Sequence, residues 1–451
     1  MESSLERLHQ WSSERLNDLV SYQPVQVFGR VIKVNGIALE SILPFSKIGD
    51  LCSIESANGE DVLAEIIGFN ADTTLLSSLG NLQGVEVGAR VTPFNLSHHI
   101  QISDRLMGAV LDGFGRALNS EVSAFSSTTS AANATPVICD AVAPTERPRI
   151  DSPLPTGLRV IDAMLTLGEG QRMGIFAGAG CGKTTLLAEI ARNTPCDVIV
   201  FGLIGERGRE LREFLDHELD AQLRAKSVLV CSTSDRTSME RARAAFTATA
   251  MAEGFRAKGK SVLLLIDSLT RFARAQREIG LAAGEPPGRG GFPPSVYSLL
   301  PRLVERAGKT EQGSITALYT VLIEQDSMND PVADEVRSLL DGHIVLSRKL
   351  AEKNHYPAVD VLSSISRTMP NVTPPEHMAC AGKLRTLMAS YKEVEMLIRL
   401  GEYQQGNDPL VDTAVAKNPD INRFLQQRMH EPSDYGTTLS LLEQVSAGVP
   451  E

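Results

Sequence analysis

The sequence predicts an α/β protein whose central domain holds a parallel sheet buried on both faces. Two observations in the 451-residue chain support this prediction. Between residues 149 and 367, continuous apolar runs of strand length alternate with helical stretches, as parallel strands covered by helices do. The flanks differ, because short strand-like runs fill residues 25–93 and no strand pattern follows residue 374. We therefore expect one further domain on each side of the core.

Composition places the chain among ordinary globular proteins. Its apolar share of 42% suffices for a sizeable core, and its net charge of −11 argues against a broad basic face for nucleic acid. The six cysteines are scattered, without a CxxC pair, and so indicate free thiols in a reducing compartment. Without a signal peptide or a run of about 18 apolar residues, we expect a cytoplasmic protein.

Residues 1–22 are expected to form an amphipathic helix. The apolar residues at near-helical spacing are Leu5, Leu8, Trp11, Leu16 and Leu19. Acidic residues outnumber basic ones on the polar face, whereas a helix that lies on a membrane surface is normally basic. Docking on a protein partner and packing on the chain's own body are the two interpretations left open.

Residues 23–95 are expected to form a small β-barrel. Several short strand-like runs occur there, and Asn35-Gly36 and Asn58-Gly59 are strong hairpin signals. The α/β domain that holds the central sheet is expected over 96–373, with a linker-like stretch rich in Ser, Thr and Ala at 123–148. A helical domain is expected over 374–451.

Five apolar runs are the expected strands of the central sheet, with helical stretches such as Ser238–Lys258 between them. The runs are Arg172–Ala177, Asp197–Leu203, Ser227–Cys231, Ser261–Ile266 and Ser314–Leu322. Each run is apolar nearly throughout rather than alternating, which is typical of a strand with both faces buried.

A phosphate-binding loop follows the first of these strands. The segment Ala177-Gly178-Ala179-Gly180-Cys181-Gly182-Lys183-Thr184 leads into a helix that begins Thr185-Leu186-Leu187, and residues 177–185 are expected to bind the nucleotide. Glycines let backbone N–H groups wrap phosphates at a helix N-terminus. Lys183 is expected to reach the β- and γ-phosphates of ATP, and the Thr184 hydroxyl to bind Mg²⁺. Ala177 departs from the strict motif, which has glycine there.

Two acids are candidates for chemistry at the γ-phosphate. Asp267 ends an apolar run, where an acid can hold the water shell of Mg²⁺ beside the P-loop. Glu206 lies just past the strand that follows the P-loop helix. Hydrolysis needs a carboxylate that positions a water in line with the γ-phosphate, but position alone leaves a catalytic base and a solvated loop acid equally open for Glu206.

Together these motifs resemble the type III secretion ATPases of flagella and injectisomes, which are related to the catalytic subunits of rotary ATP synthases. Besides the P-loop, the matching segments are Leu111–Arg116, Gly205-Glu206-Arg207, Ile266-Asp267-Ser268, Gly284–Pro286, Gly290–Val296, Asp341–Arg348, Tyr356–Asp360, Ser366-Arg367 and Gly401–Tyr403. The resemblance covers residues 25 to 430, and alanine at the first P-loop position is normal in this family. It implies a RecA-like P-loop NTPase core between an N-terminal β-barrel and a C-terminal helical domain.

The resemblance also implies roles for residues around the γ-phosphate. Glu206 would be the catalytic carboxylate, and Arg207 would help to hold charge near the γ-phosphate beside Lys183. Glu210 would bind a magnesium water. Arg271 would lie close to the phosphates.

Other implied roles concern the base and the subunit boundary. Tyr356 would stack on adenine, unless it is a packed core residue. Arg367 would be an arginine finger for the next subunit's ATP, unless it forms an internal salt bridge. The Gly- and Pro-rich loop Gly284–Ser295 would lie near a central channel, where Arg289 or Phe292 would contact the exported polypeptide or a stalk protein; a plain surface loop is the alternative.

The implied function is ATP hydrolysis that energises protein export, by substrate unfolding and chaperone release, in a homohexameric ring at the cytoplasmic face of the inner membrane. Expected partners are export substrates, their chaperones, and stator and central stalk proteins, but no nucleic acid. The alternatives are a rotary ATP synthase catalytic subunit and a ring-shaped RNA helicase. The mixed charge of Met378–Gly401 disfavours the first, and the few basic and aromatic residues of Val25–Pro93 disfavour the second.

Overall fold

The computed structural model describes residues 11–12, 27–59, 61–118, 122–125, 134–178, 180–323 and 330–449. Nearly all of the expected N-terminal helix therefore lies outside the described residues, as do Ala179 of the P-loop and residues 126–133 of the linker-like stretch. The chain separates into two compact units, which divide after Ser97.

The first unit contains a closed six-stranded antiparallel barrel with the strand order β1-β2-β5-β4-β3-β6. Its strands are β1 (Gly29–Asn35), β2 (Ala38–Ile42), β3 (Asp50–Ile54), β4 (Val62–Asn70), β5 (Thr73–Ser78) and β6 (Arg90–Ser97). Both hairpin signals lie at turns, where Gly36 and Gly59 have φ values of 60° and 86°, a region that glycine adopts without steric cost. The barrel expected from the sequence is confirmed.

The second unit is built on a nine-stranded sheet. Its strands, with four small flanking ones, are β7 (His99–Gln101), β8 (Val110–Leu111), β9 (Ala134–Pro136), β10 (Pro153–Leu154), β11 (Leu167–Gly168), β12 (Arg172–Ala177), β13 (Val198–Glu206), β14 (Ser227–Thr233), β15 (Ser261–Asp267), β16 (Gly308–Lys309), β17 (Ser314–Leu322), β18 (Gly342–Leu346) and β19 (Ile365–Ser366). The order is β19-β18-β12-β17-β15-β13-β14-β8, with β16 beside β17. The strands from β18 to β8 run parallel.

Helices cover both faces of this sheet. They are α1 (Arg159–Met164), α2 (Lys183–Asn193), α3 (Gly208–Glu213), α4 (Ala221–Ala225), α5 (Ser238–Ala257), α6 (Leu269–Ala282), α7 (Pro294–Val304), α8 (Pro331–Leu339), α9 (Arg348–Glu352), α10 (Met369–Val372), α11 (Pro375–Leu400), α12 (Pro409–Leu425) and α13 (Tyr435–Ser446). Along β13, Val198 and Val200 pack into one apolar cluster, while Ile199 and Phe201 pack into another. The expected burial of both faces is thus confirmed.

The five expected strands are all present, and β12 and β17 have the predicted bounds. The strands β13, β14 and β15 extend further toward their carboxyl ends than predicted, so that Glu206 and Asp267 belong to the sheet. Both polar residues are paired with a neighbouring strand: Asp267 with Leu203, and Glu206 with Thr233.

The C-terminal part of the second unit is helical, as expected. After β19 the described residues form α10 to α13 and no strand. The buried residues Ala381, Leu384 and Leu387 join α11 to the same apolar cluster as the P-loop helix α2. No helix among the described residues is both long and apolar enough to cross a membrane.

Candidate active site

The P-loop connects the carboxyl end of β12 to the first turn of α2. Gly180 and Gly182 have φ values of 81° and 80°, so these two positions need glycine. Ala177 instead lies within the ladder, pairing with Leu322 and Leu346, and it is fully buried. An extended residue inside a strand does not need glycine, which accounts for alanine at this position.

Three charged side chains converge beside this loop. Lys183 Nζ donates to Asp267 Oδ1 at 2.5 Å and lies 3.8 Å from Glu206 Oε1. Asp267 is only 3% exposed, and its Oδ1 also accepts a hydrogen bond from Thr320 Oγ1 at 2.7 Å. A carboxylate this buried is stable only with partners of this kind. The parallel strands thus bring the residues of three separate motifs to one edge of the sheet.

Arg271 is a second cation beside Glu206. Its Nη1 lies 2.7 Å from Glu206 Oε1 and donates to the Gly205 carbonyl at 2.7 Å. Burial raises the pKa of Glu206, and nearby Asp267 and a hydrogen bond with Glu210 raise it further, while Lys183 and Arg271 lower it. A carboxyl whose pKa lies above its ordinary value is closer to the operating pH of a general base.

Two cavities flank the first turn of α2. One, of about 460 Å³, is lined by Thr184, Glu206, Glu210 and Asp267. The other, of about 850 Å³, is lined by Thr185, by Gly180 and Gly182 of the P-loop, and by residues that follow α12, including Gln427 and Met429. Their sizes are those of ligand sites in general.

Tyr356 lines the larger cavity. Its ring lies against the P-loop, because a Cβ atom added at Gly182 would sit 3.6 Å from the ring. The side chain is 41% exposed, so the alternative of a packed core tyrosine is wrong. A flat ring with one open face beside a phosphate loop can stack on a base.

Arg367 lies at the other end of the sheet. It follows β19, is exposed, and its backbone N–H donates to the Asp341 carbonyl at 2.9 Å. Asp341 in turn pairs with Arg172, the first residue of β12. Because a strand rises about 3.3 Å per residue, Arg367 is about 17 Å from its own P-loop along β12. No ion pair of Arg367 occurs among the described residues, so the internal salt bridge finds no support there.

The protein-family models divide the chain into three matches. Residues 24–95 match the β-barrel domain of the ATP synthase alpha/beta family, residues 157–366 match its nucleotide-binding domain, and residues 373–444 match the T3SS EscN ATPase C-terminal domain. The chain is 64% identical over 445 residues to the type 3 secretion system ATPase of Pseudomonas savastanoi pv. phaseolicola, covering 98% of this chain and 99% of that protein. The chain belongs to the type III secretion ATPase family.

Other relatives of this secretion ATPase agree with that assignment. The flagellum-specific ATP synthase of Treponema pallidum is 45% identical, with 95% of this chain and 96% of that protein covered. The structure of assembled EscN from enteropathogenic E. coli is 46% identical, with a TM-score of 0.87, and covers 93% of this chain and 100% of that chain. A second EscN structure, in complex with its central stalk EscO, gives 45%, 0.85 and the same coverage. The chain is thus an ATP-hydrolysing secretion enzyme, and the synthase and helicase alternatives are set aside.

Some residues of this secretion ATPase lie elsewhere than their expected roles require. The Arg207 side chain is 78% exposed and pairs with Glu210 at 3.2 Å, so its place beside the γ-phosphate stays a prediction. Phe292 is only 7% exposed, with the Arg277 guanidinium 5.5 Å from its ring centre. Its expected contact with exported polypeptide is wrong, because the ring packs inward onto the core. Arg289 remains exposed and pairs loosely with Asp334 at 3.5 Å.

Sequence reasoning missed two partners of the acids. Thr320 donates a hydrogen bond to Asp267, and Arg271 pairs with Glu206; the expected place of Arg271 close to the phosphates stays a prediction. Both lie far from their partners in sequence, so no local pattern marks these contacts. Helix α6 begins at Leu269 directly after β15, and that position was the available signal for Arg271.

The oxygen donors near the P-loop fit a Mg²⁺ ion that binds together with ATP, rather than one coordinated by protein side chains alone. Thr184, Glu210 and Asp267 all line the smaller cavity and offer oxygen atoms. No cluster of three or more His, Cys, Asp or Glu residues that could hold a metal occurs in the described part of the chain. Magnesium commonly binds through one or two protein oxygens plus phosphates and waters.

Proposed function

We propose that this secretion ATPase works as a homohexameric ring in which each ATP site is completed by Arg367 of the neighbouring subunit. One observation carries the proposal: Lys183, Glu206 and Asp267 converge at one end of the sheet, whereas Arg367 is exposed at the other. A guanidinium there cannot serve its own chain's ATP. In a head-to-tail ring it faces the site of the next subunit.

At each site, the proposed chemistry is cleavage of the terminal phosphate of ATP. Glu206 accepts the proton of the attacking water, and Lys183 offsets charge on the β- and γ-phosphates. Thr184, with Asp267 and Glu210 through waters, would hold Mg²⁺, which neutralises charge on the phosphate oxygens. The adenine lies in the larger cavity against Tyr356, so the base and the reacting phosphate occupy the two sides of the first turn of α2.

The partners follow from the family. The assembled EscN structure and its complex with the stalk EscO support a ring of identical subunits and a central stalk protein for this chain. The greater identity to an injectisome-type ATPase, 64% against 45% for a flagellar one, supports a virulence-type apparatus. Family membership supports the proposed work as well: unfolding of export substrates and release of their chaperones at the cytoplasmic face of the inner membrane.

Mixing two inactive variants tests the shared site. Arg367→Ala keeps a complete P-loop but lacks the finger, and Lys183→Ala keeps the finger but lacks a working P-loop. Each alone should lose hydrolysis on the order of 10³-fold, the effect of a finger in related reactions. A one-to-one mixture should recover roughly a quarter of wild-type activity, because random head-to-tail assembly pairs a good P-loop with a good finger at about one interface in four.

The control for this mixture is each variant mixed with wild-type protein, which reports co-assembly. If the two variants co-assemble and the mixture stays inactive, Arg367 does not act on a neighbour's ATP. Full activity of Arg367→Ala alone would also exclude the proposal.

A further inference from the structure

The main chain that carries Arg367 emerges from a strand of only two residues. Strand β19, Ile365–Ser366, pairs antiparallel with the start of β18 at the edge of the sheet. A pairing this short fixes a chain segment poorly by itself. Ser366 is nevertheless only 7% exposed, although Arg367 beside it is exposed. Other contacts must therefore hold this segment.

Buried hydrogen bonds supply that support. Ser366 Oγ accepts a hydrogen bond from Gln171 Nε2 at 3.1 Å and donates to the Thr166 carbonyl at 2.9 Å. Gln171 is fully buried. Its Oε1 accepts from the Gly168 N–H at 2.9 Å, and its Nε2 also reaches the Asp341 carbonyl at 3.3 Å.

The Asp341 carbonyl is the meeting point of these bonds. It accepts from Gln171 and from the backbone N–H of Arg367 at 2.9 Å. The Asp341 carboxylate is held by two hydrogen bonds from the Arg172 guanidinium, at 3.0 and 3.1 Å, and by the Arg172 backbone N–H at 3.0 Å. Because unpaired buried polar groups are costly, such a set permits little displacement of the main chain.

We propose that Gln171 and Ser366 are positioning residues for the finger: they fix the main chain from which Arg367 reaches the neighbouring subunit's ATP. The inference rests on the shared site proposed above. A finger stabilises charge only within hydrogen-bonding distance, and a misplacement of about 1 Å can cost on the order of 10²-fold in rate. Gln171 directly precedes β12, so the support of the finger belongs to the same strand that leads to the P-loop.

Ser366→Ala tests the inference with a small change. The variant keeps Arg367 and the P-loop but loses the hydroxyl that joins Gln171 and Thr166. Its kcat should fall about tenfold or more, while its Kd for ATP stays within about twofold, because the finger acts on the transition state. Gln171→Met keeps the length of the side chain but loses the amide that donates to Ser366, so its kcat and Kd should change in the same way.

Ser364→Ala is the matched control. Ser364 is also buried, at 3% exposure, and its Oγ accepts from the Val345 N–H at 2.9 Å and donates to the Asp360 carbonyl at 2.6 Å. The Ser364→Ala variant therefore loses a buried hydroxyl two residues upstream of Ser366, and this hydroxyl does not contact Gln171. Its kcat should stay near that of the wild type. An equal loss in Ser364→Ala would show general loosening of the edge and overturn the inference.

Complementation separates a displaced finger from a damaged site. A one-to-one mixture of Ser366→Ala with Lys183→Ala should exceed the activity of Ser366→Ala alone, because the Lys183→Ala subunit lends it an intact finger. A mixture with half that activity or less would place the defect outside the finger and overturn the inference. If Ser366→Ala fails to assemble, the same mixture is made with Gln171→Met in its place and is interpreted in the same way.

The Arg367→Ala and Lys183→Ala mixture tells the two proposals apart. If that mixture recovers activity while Ser366→Ala and Gln171→Met retain wild-type kcat, the positioning role is wrong and the shared site stands. If that mixture stays inactive despite co-assembly, the shared site is wrong, and the positioning role is wrong with it.

Discussion

At the carboxyl end of the central sheet, Lys183 Nζ lies within 3.8 Å of two carboxylates that are themselves held by Thr320 and Arg271. At the amino end, Arg367 is exposed, and its described hydrogen bond is made by the backbone. The carboxyl end thus brings together, within one chain, the residues proposed to bind phosphate and to activate water. The amino end offers an exposed cation with no ion pair among the described residues. The proposal of ATP sites shared between neighbouring subunits requires this difference.

The largest expected effect distinguishes catalysis from binding at the carboxyl end. Glu206→Gln should lower kcat on the order of 10³-fold, because an amide cannot accept the proton of the attacking water. ATP should still bind, since Lys183 and the loop glycines are unchanged. Single-turnover hydrolysis and equilibrium binding measure the two quantities.

Lys183→Ala is the matched variant, and it should lose tight binding as well as hydrolysis. Near wild-type turnover by Glu206→Gln would remove this residue as the base. The carboxyl end would then bind phosphate without an assigned catalytic base, and the contrast with the amino end would weaken.

An intermediate effect concerns the pH dependence of the carboxyl end. Glu206 must be deprotonated to act as base, so kcat/KM should fall as the pH drops through its raised pKa. The Arg271 cation lowers that pKa. Arg271→Gln should therefore raise it and shift the acidic limb of kcat/KM to higher pH, with activity lost at low pH and little loss at high pH.

Arg207→Gln is the control for this shift, since Arg207 pairs with Glu210 and is largely exposed. Its acidic limb should move less. Equal shifts in the two variants, or none in Arg271→Gln, would contradict the assignment of Arg271 as the cation that tunes Glu206.

The smallest expected effect concerns binding of the adenine ring of ATP. Tyr356→Ala should raise the KM for ATP about fivefold, the value of one stacked aromatic contact, and leave kcat nearly unchanged. Tyr356→Phe keeps the ring and should retain the wild-type KM. Steady-state kinetics on ATP and on a pyrimidine triphosphate would show whether selectivity for adenine falls in the alanine variant alone. An unchanged KM in Tyr356→Ala would place the adenine elsewhere. Arg367→Ala should not alter KM through adenine stacking.

The central sheet was predictable because its signals are local. Each of the five runs is apolar nearly throughout, so its burial on both faces follows from a few consecutive residues, and β12 and β17 have the predicted bounds. The P-loop is likewise one contiguous motif. The strand ends were placed too early at Glu206 and Asp267, because a polar residue at the end of a ladder resembles the first residue of a loop.

The loop Gly284–Ser295 shows where composition fails. Glycine and proline correctly indicated a segment largely without α-helix: the structure has a short 3₁₀ turn at Arg289–Gly291, and α7 begins only at Pro294. Composition carries no information about the direction of a side chain. Phe292 was expected to face a channel, but burial of its ring against the core is the more favourable arrangement.

By itself, the sequence determined the elements of this protein, the order of its domains and the residues able to do phosphate chemistry, because strand and helix periodicity and the P-loop are encoded in neighbouring residues. The tertiary structure decided which of those residues meet. Arg271 reaches Glu206, Thr320 reaches Asp267 and Gln171 reaches Ser366 because the pairing of strands in the sheet brings distant segments together. It also separated Arg367 from the P-loop by the length of β12, since the two leave opposite ends of the sheet, and a distance of that kind is written in no single stretch of the chain.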